Sequence, residues 1–151
     1  MLKSTERKLS SLAAPYMTTH PLRLLGLLLL CSAYLQGSTM KFLDFDAAIR
    51  EMEHFGLLPP APIAAAVIFF EFFCCVLVLT GFCRWIGALA LAIFTLMATF
   101  IALRFWELPP GMGRVLATNA FFEHLGLVGA FLLVVWYDLH RWKNWRKEDW
   151  S

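Results

Sequence analysis

Six side chains in this sequence could hold or move a proton where polar groups are scarce. Glu71 lies inside the apolar run Ala61–Thr80, ten residues from its start. Glu123 and His124 are adjacent inside a second run, Val115–Tyr137, and Asn119 precedes Glu123 by four residues. Gln36 and Lys41 close a run that begins at Leu22. Carboxylic acids and an imidazole exchange protons, an ammonium supplies a counter-charge, and amides both donate and accept hydrogen bonds. An ionisable group at bilayer depth costs about 2.5–3.5 kcal/mol on insertion scales, so it faces other protein or a ligand rather than hydrocarbon. Two readings of each stay open: a working group, or polar glue between helices.

These residues must be positioned by membrane helices. Apolar residues make up 60% of the 151-residue chain and charged ones 16%, against roughly 45–50% and 25% for soluble domains. Mean hydropathy is +0.65. A net charge of only +2 leaves no basic surface for nucleic acid. Spanning takes roughly 20 apolar residues, and four stretches qualify: 22–40, 61–80, 85–103 and 115–137. They lack the period-two alternation of a membrane β-barrel. All six tryptophans, Trp85, Trp106, Trp136, Trp142, Trp145 and Trp150, fall at or beyond span ends, where an indole keeps its ring in the headgroup layer and its N–H wet. The predicted fold is all-α, a polytopic four-helix membrane bundle.

The first span reads as a retained helix, since its basic lead is long and no clean A-x-A site follows. Nine of the thirteen Lys and Arg then fall on the side of the two termini, which places both termini in the cytoplasm. The chain divides into a flexible cytoplasmic arm (1–20), the transmembrane domain (21–137) and a basic, Trp-rich tail (138–151). The first loop carries a stripe of Phe42, Phe45, Ile49, Met52 and Phe55 opposite its acids. It continues the first span or lies flat at the interface. Pro59, Pro60 and Pro62 start the second span, and Gly81 caps its end.

With the termini inside, Gln36, Lys41, Glu71, Asn119, Glu123 and His124 all fall in the outer half or middle of the bilayer. The expectation is a polar pocket open to the outer face. Asn119, Glu123 and Gly126 share one stripe, with His124 about 100° away. No metal site is expected, since only one His lies inside the membrane and no Glu-x-x-His pair occurs. Cys31, Cys74, Cys75 and Cys83 form no C-x-x-C motif and read as small apolar filler. Ala88 with Ala92, and Gly126 with Ala130, are spaced for close helix contact.

The order of these features resembles the DoxX family of small bacterial inner-membrane proteins. A first helix ends in TMKFLDFD, and LPPAPIAAAVIFFEFF opens a second helix with a central Glu. TGFCRWIGALAL then makes a Gly turn with Arg, and NAFFEHLGLVGAFLL carries an Asn and a Gly pair. The likeness runs from about Leu22 to Tyr137. It implies a four-helix bundle linked to redox physiology, with some relatives described as the small membrane subunit of thiosulfate:quinone oxidoreductase. By that match Lys41 and Glu71 stand where the family places ionisable residues. Glu123-His124 departs from the Lys-Asn common in relatives, which exchanges a cation for an acid.

The functional expectation is a small subunit of a quinone-associated membrane system in the bacterial inner membrane. Glu71 and Glu123–His124 would handle protons, because a quinone takes up protons on reduction. With no self-contained catalytic motif and no electron carrier of its own, such a subunit needs a redox partner protein; homo-oligomerisation is the other association expected. The alternatives are a scaffold or assembly subunit without chemistry and a conduit for protons or a small solute.

Overall fold

A computed structural model describes residues 2–148, with side chains for residues 5–143. It contains helices α1 (Leu2–Met17), α2 (His20–Leu43), α3 (Phe45–His54), α4 (Pro60–Thr80), α5 (Arg84–Ala102) and α6 (Met112–Glu148). A short 3-10 turn, Phe105–Glu107, links α5 to α6. No strand occurs among the described residues. Four segments are long and apolar enough to cross a membrane: α2, α4, α5 with its trailing turn, and α6. They coincide with the four predicted spans.

Local chemistry sets the helix ends. Pro60 sits in the first turn of α4, where its missing N–H costs nothing. Gly81 ends α4 at φ 86°, a left-handed position that glycine occupies without Cβ strain. Asp44 separates α2 from α3 and accepts a hydrogen bond from the Ala47 N–H at 2.9 Å. That break changes the expected loop stripe. Ala48 and Met52 are buried, whereas Phe42 is exposed. Helix α3 packs Ala48 and Met52 against Ala64 of α4. The arm expected before the first span carries helix α1, and its described side chains are exposed. The last three residues of the tail, Trp150 among them, lie outside the described residues, as do the side chains of Trp145 and its neighbours.

Small and hydroxyl residues are prominent in the buried interior, beside Leu91 and Phe131, while many large apolar side chains face outward. Cys31, Ser38, Ala64, Cys75, Ala88, Ala92, Thr95 and Thr99 are buried, while Leu29, Phe69, Met97 and Leu133 are more than half exposed. Water would not tolerate that outer surface; lipid does, and helices packed in lipid favour small residues at their contacts. One close approach lies between α4 and α5. A Cβ added to Gly87 would meet the Cys74 carbonyl oxygen at 2.8 Å and Leu77 Cβ at 2.9 Å. Ala88 and Ala92 are buried as their spacing predicts. The second expected pair is not a contact, because Gly126 faces open space. Helix α5 packs along both α4 and α6, and α2 packs along α4. By contrast, α2 and α6 lack an extended close approach. Tyr34 bridges them edge-to-face on Phe131, with centroids 5.5 Å apart.

Candidate functional site

Glu71 is 5% exposed at the middle of α4. Its Oε2 has no hydrogen-bond partner among the described residues. Lys41, at the end of α2, lies 3.9 Å from Glu51 of α3. An ammonium and a carboxylate thus form an ion pair where α2 passes into α3, at the rim of the bundle that buries Glu71.

Buried hydroxyls also line the interior of the bundle. The Tyr34 hydroxyl hydrogen-bonds Thr95 Oγ1. Ser38 Oγ donates to the Tyr34 carbonyl. Thr95 Oγ1 donates to the Leu91 carbonyl at 2.6 Å, and Thr99 Oγ1 donates to the Thr95 carbonyl at 2.6 Å. A hydroxyl has one proton to give, so Thr95 accepts from Tyr34. By the same reasoning Thr99 accepts from His124 Nδ1, 2.9 Å away. That assignment puts a His124 proton on Nδ1. The polar interior therefore crosses from α2 through α5 to α6.

The six predicted residues divide. Glu71, Lys41 and His124 point toward this polar interior or its rim. Gln36, Asn119 and Glu123 are exposed on the outside of the bundle. The single pocket lined by all six is not assembled, because α6 turns Phe121, His124 and Phe131 inward. Asn119, Glu123 and Gly126 fall on the opposite side. Tyr34, Ser38, Thr95 and Thr99 complete the interior and were not among the predicted site residues. Their signal is spacing: each pair stands four apart, so each marks one helix face.

Between α4 and α5 lies an apolar groove of about 570 Å³, lined by Val67, Phe70, Phe94 and Met97 among others. Val67 is four residues before Glu71, so the groove borders the helix face that carries the acid.

The DoxX family model matches residues 22–104, which is more than half of the chain. The matched region holds Lys41, Glu71 and the hydroxyl residues of α2 and α5. Helix α6, with Asn119, Glu123 and His124, lies beyond it. No curated protein and no solved structure matches the chain. The chain belongs to the DoxX family and is a multi-pass membrane protein.

Proposed function

We propose that this DoxX-family protein is a small subunit of a quinone-linked redox system in the bacterial inner membrane, with both termini cytoplasmic, and that Glu71 exchanges protons there. One observation carries the reading: a carboxyl group buried at mid-helix with an unpartnered oxygen. An unsatisfied buried polar atom costs about 1–3 kcal/mol, so structure alone gives no reason to keep it. A quinone gains two protons for each two electrons it accepts, and its oxygens suit such a carboxyl. The α4–α5 groove, apolar and next to the Glu71 face, suits an isoprenoid tail. Tyr34–Thr95 and Thr99–His124 are two separate hydrogen-bonded pairs that carry polar groups across the bundle interior from α2 through α5 to α6. Electrons are assigned to a partner protein, since the sequence has neither a C-x-x-C dithiol nor paired histidines for haem.

A specific observation also supports an assembly role. Asn119, Glu123 and Gly126 form an exposed stripe on a membrane helix. Polar groups at that depth face protein rather than lipid, and glycine lets a neighbouring backbone approach. A partner helix on this stripe fits both readings.

Mass spectrometry of mildly solubilised wild type and Glu71→Gln separates them. The proton-handling subunit retains a quinone that the variant loses, while co-purifying proteins stay the same. A stable partner complex with no quinone, unchanged by the substitution, would overturn the redox reading and leave the scaffold.

A further inference from the structure

The opposite end of the bundle holds a second polar assembly that the proton-handling site does not use. Arg23 of α2 and Arg84 of α5 both approach Asp138 of α6, at 4.0 Å and 3.6 Å. Arg141 stands close by, its guanidinium 6.0 Å over the ring of Tyr137, the residue next to Asp138. Two guanidiniums therefore share one carboxylate with a third beside them, which leaves positive charge in excess at this end of the bundle. Arg84 is committed to the fold, because its Nε donates to the Val78 carbonyl at 2.8 Å and caps the end of α4. Arg23 is not. Its one ion pair is at the limit of contact, its side chain is 32% exposed, and it lies 5.7 Å over the Tyr137 ring.

Below this cluster the seam between α2 and α6 opens. A cleft of about 430 Å³ is lined by Arg23, Gly26, Leu30, Arg84, Leu133 and Tyr137, among others. A Cβ on Gly26 would meet nothing within 4 Å, so the wall stays open there. The cleft is charged at the bundle end and apolar going inward, along Leu30 and Leu133. An anionic phospholipid has that same order, phosphate at the surface and acyl chain toward the bilayer centre. Basic pockets between membrane helices bind such headgroups.

We infer that the α2–α6 cleft binds an anionic phospholipid, with its phosphodiester on Arg23 and Arg84 and an acyl chain along Leu30 and Leu133. The lipid offsets the excess positive charge and fills the seam that α2 and α6 leave open between them. Asp138 spaces the arginines and weakens anion binding, so its removal strengthens the site.

The test is native mass spectrometry of the full chain exchanged into phosphatidylglycerol or phosphatidylcholine, then stripped stepwise with detergent. Wild type should retain phosphatidylglycerol about tenfold over phosphatidylcholine, the worth of one charged hydrogen bond. Arg23→Gln should remove most of that preference, and Asp138→Asn should match or exceed wild type. Inorganic phosphate at millimolar concentration should leave the lipid in place. Equal retention of the two lipids, or an unchanged preference in Arg23→Gln, would overturn the inference. Displacement by inorganic phosphate would also overturn it, by assigning the arginines to a free anion. Should Arg23→Gln fail to fold, the wild-type lipid preference and the Asp138→Asn arm still decide.

Discussion

Replacing Glu71 by Leu should make the protein more stable. Leu is close to Glu in volume, so repacking at this site costs under about 1.5 kcal/mol. Against that stands the unpartnered Oε2, buried in a residue only 5% exposed. An unsatisfied polar atom of this kind costs about 1–3 kcal/mol. The expense of having the group in the membrane at all largely cancels, because the unfolded chain in detergent keeps its helices in the apolar phase. Lys41 does not lose its partner, since it pairs with Glu51. The net expectation is a gain of about 1 kcal/mol. Denaturation of the purified protein in mixed micelles, followed by circular dichroism, reads this directly. The same variant should lose the retained quinone. A loss of 2 kcal/mol or more would refute the reasoning, because it would make the carboxyl a structural group whose partnership with Lys41 holds the bundle together.

Four further variants probe other parts of the structure. Gly87→Ala places a methyl 2.8 Å from the Cys74 carbonyl oxygen and should destabilise by about 1–3 kcal/mol in the same micelle assay. Gly126→Ala, facing open space, should lose nothing and gain up to about 1 kcal/mol of helix propensity. Thr99→Val keeps the shape but removes the bond to His124, which should cost about 1 kcal/mol in that assay. Paired replacement of Asn119 and Glu123 by Leu should abolish partner or self-association in native mass spectrometry, while the chain itself unfolds no more easily than wild type.

The four spans were legible in the sequence because their limits are local. Pro60 and Gly81 set the ends of α4 through backbone chemistry, and the apolar runs fix the lengths. The break at Asp44 is less legible: an Asp followed by a helical run is a capping signal, but the apolar stripe reads equally as a continuation of the first span or as a helix lying flat at the interface. Helix rotation was the harder problem. Helix α6 is apolar nearly all round, so its sequence gives no strong face to orient it. A reading that turns Asn119 and Glu123 inward therefore meets His124 and Phe131 on that side instead. Glu71 stood out because a charge in an apolar run is conspicuous. Tyr34, Ser38, Thr95 and Thr99 did not, because hydroxyls satisfy themselves on their own helix and look neutral in composition. Only the fold shows that two of these helices meet at Tyr34 and Thr95.

Infrared spectroscopy of the protein in lipid, scanned across pH and in heavy water, would test proton exchange at Glu71 most directly. The expected result is one carboxyl carbonyl band that titrates, shifts in heavy water and disappears in Glu71→Gln. A spectrum in which Glu71→Gln removes no titrating band, or removes one that never exchanges, would contradict it.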